Sequence, residues 1–190
     1  MANIAWEITH GVETSASPAF AWKYWTTVPN WSDPPAEFEL QGPFEVGSRG
    51  LTRFPDRPPI EWFLREVCPP SAATIALPLA QAVLSFEWRF DALPDGRTRI
   101  SQRITLQGEN AEAYRSQVAS AFANNLPDAM KKIARAMGEA HALQTDTACN
   151  EAATPRAARY LCRRSNSKVL WWLEPLKRPI PSTSRIESRC

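Results

Sequence analysis

The chain has 190 residues, 44% of them hydrophobic, and a formal net charge of +2, which suits one ordinary domain with an appendage. The charge is unevenly distributed, because residues 1–145 carry a formal −3 and residues 146–190 a formal +5. A mildly acidic body excludes the concentrated positive surface that nucleic-acid binding needs, and no stretch approaches the roughly 20 apolar residues of a membrane span.

The N-terminal part predicts one strand followed by two short helical segments. Apolar residues alternate with polar ones at Ile4, Trp6 and Ile8, which is the period of a half-buried strand. Ser17-Pro18 then pairs a capping residue with proline at the first helical position. The helix that follows places one apolar face toward the core: Ala21, Trp25 and Val28. The proline-rich connection 30–35 has room for a single further helical turn.

Six consecutive strands are predicted between Ala36 and Gly108. The clearest alternation is a row of four large side chains, Leu84, Phe86, Trp88 and Phe90. Pro94-Asp95-Gly96 is typical of a hairpin turn, since glycine accepts a positive φ and aspartate caps the turn. The partner strand turns three apolar residues inward: Ile100, Ile104 and Leu106. Gln102 falls on the same inward side, where a polar side chain is unexpected.

A long amphipathic helix is predicted from Asn110 to Leu143. Its apolar residues follow one another at steps of four or three, at Tyr114, Val118, Phe122, Leu126, Met130, Ile133 and Met137. This spacing keeps them on one helical face. Pro127 removes a backbone donor in the middle of this helix and therefore bends it or divides it in two. An apolar helix face against a single apolar sheet face predicts a two-layer α+β domain.

The chain resembles the Bet v 1-like, START-related superfamily, also called the SRPBCC or polyketide cyclase/dehydrase family. The resemblance covers roughly residues 3–143 and rests on the element order and on five local segments: Gly42–Gly50, Trp62–Pro69, Leu84–Trp88, Gly96–Ile100 and Leu126–Met130. It implies a helix-grip fold, in which a curved seven-stranded antiparallel sheet wraps around a long kinked C-terminal helix, with two short helices after the first strand. It also implies a cavity for lipids, aromatic or polyketide-like molecules, but the fold alone does not choose a function.

The leading hypothesis is that a small hydrophobic ligand binds between the sheet and the final helix. Rings and apolar side chains on the expected inner surfaces would contact it, and polar groups would orient it. The candidate ligand-binding residues are Trp62, Phe86, Trp88, Gln102, Tyr114, Phe122 and Met130. Ordinary core packing and structural hydrogen bonding are the competing interpretations of the same residues.

Two alternatives use the same fold. A cyclase or aromatase-type enzyme could use Tyr114 or Arg65 to polarise a carbonyl or stabilise an anion, although Arg53 and Arg65 lie on strands whose facing the pattern leaves open. Because the sequence has no nucleophile–base constellation and no recognised catalytic motif, binding is favoured over catalysis. A protein-interaction module resembling activators of chaperone ATPases is the third class.

The remaining features predict a cytoplasmic protein with no cofactor and no metal site. The four cysteines, Cys68, Cys149, Cys162 and Cys190, show no metal-ligand spacing and indicate a reducing compartment. Met1 to Ile8 lacks the features of a signal peptide. The basic segment 146–190 has little apolar periodicity and is expected to be a disordered tail. The sequence leaves the oligomeric state open between monomer and homodimer.

Overall fold

The computed structural model of the protein describes residues 4–31 and 35–151, with side chains as far as Thr145. Within these ranges, seven strands form a single antiparallel sheet, and the strands are β1 Ile4–Thr14, β2 Glu37–Gln41, β3 Arg49–Phe54, β4 Arg57–Cys68, β5 Ala72–Leu79, β6 Ala82–Ala92 and β7 Thr98–Gln107. Their order across the sheet is β1-β7-β6-β5-β4-β3-β2. Strands β2 to β7 form a meander, and β1 pairs with β7. The predicted α+β fold with a seven-stranded antiparallel sheet is confirmed.

The inner face of the sheet is made of side chains that lie opposite one another on neighbouring strands. Directly paired residues of antiparallel strands point to the same face, and one such row joins Ile8, Ile104, Phe86, Ile75 and Leu64. The last four of these are at most 1% exposed. The alternation predicted for β6 and β7 is therefore the alternation between this core face and the outer face.

A break in register at the start of β1 overturns one expectation about the inner face. The pairing with β7 shifts between Ile4 and Trp6, and Ile4 lies opposite Gln107. An extra residue in a strand reverses the facing of the residues before it. Ile4 is consequently 42% exposed, so the prediction that it faces inward together with Trp6 was wrong.

Three α-helices cover the inner face: α1 Pro18–Thr26, α2 Ala111–Phe122 and α3 Leu126–Glu151. A 3-10 helix, Val28–Trp31, follows α1. The Ser17 side chain accepts a hydrogen bond from the backbone nitrogen of Phe20 at 3.4 Å, as expected of an N-cap. None of the described helices is at once long enough and apolar enough to cross a membrane.

The long C-terminal helix is divided, as the position of Pro127 suggested. The chain turns at residues 123–125 and Pro127 is the second residue of α3, where its missing N–H is not needed. All seven residues of the predicted apolar stripe are buried. Helix α3 continues past the predicted end at Leu143 to Glu151, so the domain boundary predicted at residue 145 falls inside a helix. The remainder of the predicted tail, 152–190, lies outside the described residues.

Candidate functional site

A short polar row crosses the inner face of the sheet between two apolar rows. Gln102 of β7 lies opposite His10 of β1 on one side and opposite Trp88 of β6 on the other. The neighbouring inner positions of β7 are Ile104 and Ile100, both fully buried. The sheet therefore places a carboxamide and an indole side by side in the middle of an otherwise apolar surface.

Both of these polar side chains are buried without a hydrogen-bond partner. Gln102 is 1% exposed and Trp88 is 0% exposed. Within the described part of the chain, neither Gln102 Nε2 nor Trp88 Nε1 has an acceptor. Leaving a buried donor unpaired costs about 1–3 kcal/mol, so two neighbouring unpaired donors are a feature that core packing alone does not explain.

Helix α1 contributes a third buried, unpaired donor, the indole of Trp25, next to Trp88. The Trp25 ring lies 5.2 Å from the Trp88 ring, centroid to centroid, and Trp25 Nε1 has no acceptor among the described residues. Two nearby indoles differ in this respect. Trp62 Nε1 donates to Thr52 Oγ1 at 3.2 Å, and Trp31 Nε1 donates to the Trp25 carbonyl at 2.5 Å.

Trp62 occupies a space that a glycine leaves open. Gly50 is its direct partner across β3 and β4, and a Cβ atom built on Gly50 would lie 2.1 Å from the Trp62 ring. The ring therefore lies flat over the neighbouring strand. On its other side it faces Trp31 at 5.6 Å between centroids.

The predicted ligand-binding residues lie together in one buried cluster. Phe86 and Phe122 meet edge to face, with centroids 5.6 Å apart, so the inner sheet face contacts α2 directly. Met130 is fully buried and Tyr114 is 7% exposed. All seven predicted residues thus belong to the covered interior. Two concavities of the described chain lie elsewhere, one beside α3 and the end of β1 and one on the outer sheet face.

The structure does not bring Arg65 to this interior. The pairing of β4 with β5 shifts between Leu64 and Glu66, and Arg65 is exposed in the outer concavity, which has a volume of about 380 Å³. Arg53, whose facing the sequence also left open, forms an exposed ion pair with Glu39 at 2.9 Å. Among the candidates for polarising a carbonyl, Tyr114 alone faces the helices and sheet interior.

Sequence reasoning missed Trp25 as a polar group of the site. Its position on the inward face of α1 was predicted, and it is 2% exposed. The available signal was that an indole on a buried face carries a donor which must find an acceptor. The pKa of Tyr24, one residue earlier, is raised by burial and further by the Glu139 carboxylate, so this phenol stays neutral.

No group of three or more His, Cys, Asp or Glu side chains within the described residues is arranged to hold a metal ion. The charged side chains of the described chain lie outside the buried core, whose polar members are Thr14, Thr52, Ser85, Thr98 and Gln102. The chemistry available inside is therefore apolar contact combined with neutral hydrogen-bonding groups.

No protein-family model and no curated protein matches the sequence. Solved structures are similar in fold. A protein from Arthrobacter aurescens superposes with a TM-score of 0.54 and 16% identity over 72% of this chain and 91% of that one. Truncated norcoclaurine synthase from Thalictrum flavum gives 0.55 and 14% over 73% and 93%. The same synthase in complex with dopamine and hydroxybenzaldehyde gives 0.54 and 12% over 73% and 86%. At these identities the likeness concerns the fold.

Proposed function

Because the chain has the Bet v 1-like, helix-grip fold, we propose that it binds a small hydrophobic molecule between the inner sheet face and helices α2 and α3. The molecule is of the aromatic or polyketide-like kind. The observation that carries the proposal is the pair of buried, unpaired donors on Gln102 and Trp88. Such groups need a hydrogen-bond partner, and in this proposal the bound molecule supplies it.

Apolar contact comes from the two surfaces that face each other. Trp62, Phe86 and Trp88 belong to the sheet, while Phe122 and Met130 belong to the helices. Aromatic rings bury a large area at little cost in side-chain entropy. Gln102 and Tyr114 orient the ligand, because their side chains bring a carboxamide and a phenol to the buried interior.

Ligand entry requires the two surfaces to separate, because the side chains between them are covered in the structure. The turn at residues 123–125 divides the covering helices, and the proposed opening would move α2 relative to α3 at this turn. Helix α2 is held to the sheet by Phe122 against Phe86. Binding therefore replaces this ring contact, or part of it, by contact with the ligand.

Native mass spectrometry of freshly purified full-length protein tests the proposal. We expect a noncovalent adduct that organic extraction removes. Phe122→Leu should weaken rebinding of the extracted molecule several-fold, because it removes ring area on the helix side. Phe63→Leu is the matched control, since Phe63 pairs with Ala76 on the outer sheet face. Absence of an adduct, together with no binding of a neutral apolar probe such as 2-ethylnaphthalene, would contradict the proposal.

A further inference from the structure

Three hydrogen-bond donors at and beside the inner polar row are buried without an acceptor among the described residues. Trp88 Nε1 is only a donor, and the unpaired atom of Gln102 is its Nε2 amide nitrogen. Trp25 Nε1 adds a third donor from α1, with its ring 5.2 Å from that of Trp88. A partner that satisfies these three donors must bring an oxygen or another acceptor.

The pairing of Gln102 with Trp88 places the two side chains side by side on the inner face of the sheet. The two residues are directly opposite on β6 and β7, and the Cβ atoms of such pairs lie about 4.5–5.5 Å apart. Side chains of this length can converge on a single carbonyl oxygen, which accepts two hydrogen bonds along its lone-pair directions. The Trp25 ring, on α1, lies against the Trp88 ring from the helical layer.

The absence of buried charge selects a neutral acceptor. No lysine, arginine, aspartate or glutamate is among the buried side chains of the described chain. A carboxylate placed at Gln102 would lose its hydration without gaining a counter-ion, which is strongly unfavourable. His10, the titratable member of the row, is partly exposed at the β1 edge of the sheet.

We propose that the ligand is a neutral apolar molecule with a carbonyl group, whose oxygen accepts hydrogen bonds from Gln102 Nε2 and Trp88 Nε1. This inference rests on the proposed function and specifies the ligand's chemical class and orientation. The carbonyl lies at the polar row, and the apolar body extends over the adjacent row toward Phe86 and Phe122, which are 5.6 Å apart.

Three naphthalenes of nearly equal size test this inference on the full-length chain at neutral pH. 2-Acetonaphthone carries a ketone, 2-ethylnaphthalene replaces its carbonyl by a methylene, and 2-naphthoate carries a charge. We expect the ketone to bind at least tenfold more tightly than either of the others, as measured by titration calorimetry. Gln102→Leu should remove this preference for the ketone. Gln107→Leu should leave the preference unchanged, because Gln107 is the last residue of β7 and lines the concavity on the outer sheet face.

The outcomes separate the two proposals. Equal affinity for ketone and hydrocarbon, or tighter binding of the naphthoate, would overturn the carbonyl inference while leaving hydrophobic binding intact. Failure of all three probes to bind, with no adduct in native mass spectrometry, would overturn both.

The indole resonances of the unmodified protein provide a second test that requires no variant to fold. Adding 2-acetonaphthone should shift the Trp88 Hε1 and Gln102 side-chain amide signals downfield, because new hydrogen bonds form there. The Trp31 Hε1 signal is an internal control, since Trp31 Nε1 already donates to the Trp25 carbonyl at 2.5 Å. Shifts that are equal at Trp31 and Trp88 would contradict the inference.

Discussion

At the residue scale, Gly50 determines where the Trp62 ring can lie. The glycine is buried in β3 directly opposite Trp62, and the ring fills the space in which a Cβ atom would stand, 2.1 Å from ring carbon Cζ2. A ring moved from this position would lose its hydrogen bond to Thr52 and its contact with Trp31.

Gly50→Ala should therefore lower the free energy of unfolding by about 1–3 kcal/mol, the usual range for overpacking a core. Urea denaturation followed by circular dichroism measures this change. Gly11→Ala is the control, because a Cβ atom on Gly11 would find only ordinary contacts, the nearest at 3.8 Å. It should change stability by less than about 1 kcal/mol. Equal midpoints for the two variants would show that Trp62 is not held as described.

Individual residues of the candidate site were predictable where the alternation was regular. Gln102 follows the inward positions of β7 without interruption, so its burial was anticipated from the sequence. Arg65 lies at a shift in register, and a bulge has no reliable sequence signal in an apolar strand such as β4. That Gln102 and Trp88 would be left without acceptors depends on three-dimensional neighbours that no sequence pattern contains.

At the element scale, β1 and β7 are joined on their outer face by ion pairs as well as by backbone hydrogen bonds. Glu13 contacts Arg97 at 2.8 Å and Arg99 at 2.9 Å, and Glu7 contacts Arg103 at 2.7 Å. The hydrogen bond from Arg99, followed by that from Arg97, lowers the pKa of the Glu13 carboxyl. All these groups are exposed, so salt screens their interaction.

Acidification should reveal the contribution of Glu13. A carboxyl whose pKa is lower in the folded state stabilises the fold above its unfolded pKa, and this stabilisation is lost as pH falls through the folded pKa. Glu13→Gln should therefore lower Tm most at pH 6 in low salt, and the difference from the unmodified protein should shrink toward pH 2. Thermal melts at a series of pH values measure this dependence.

Glu45→Gln is the control for this series, since Glu45 is exposed and forms no ion pair within the described chain. Its Tm should follow that of the unmodified protein at every pH. A Glu13→Gln difference that persists at pH 2, or in 1 M salt, would mean that the side chain acts through packing and not through its charge.

The elements themselves were predictable to different degrees. Strands β6 and β7 and the helices were anticipated because their apolar periods are long and uninterrupted. Pro127 indicated the division of the C-terminal helix, but the turn at residues 123–125 precedes it because proline is accommodated in the first turn of a new helix. The bulge that turns Ile4 outward has no such marker.

At the scale of the whole molecule, the antiparallel run of β2 to β7 was predictable from the sequence, whereas the pairing of β1 with β7 was not predicted. Six consecutive strands joined by short connections pair with their neighbours in the chain and form a meander. A helix with one apolar stripe buries that stripe against the resulting sheet. How tightly the interior closes could not be predicted, because it depends on how Trp25, Trp62 and Phe122 fill space together. The end of α3 at Glu151 was not predicted either, because the residues after Leu143 lack apolar periodicity.

Limited proteolysis can test that boundary. No lysine or arginine lies between Arg135 and Arg156, so trypsin has no site in the last part of α3. We expect a lasting fragment that ends at Arg156 and binds 2-acetonaphthone as the full-length chain does, with mass spectrometry identifying its end. Loss of binding, or rapid digestion of the fragment itself, would show that residues 157–190 belong to the functional unit.

The pairing of the first strand with the last also bears on how the chain folds during synthesis. The sheet partner of β1 is β7, Thr98–Gln107. Strand β1 therefore stays unpaired while the ribosome synthesises β2 to β6. Contacts this distant along the chain form slowly, and an unpaired apolar strand is open to wrong partners. The nascent protein is thus most prone to aggregation until β7 emerges from the ribosome. In a circular permutant that begins at β2 and carries β1 after α3, the period in which a strand lacks its partner would come at the end of synthesis.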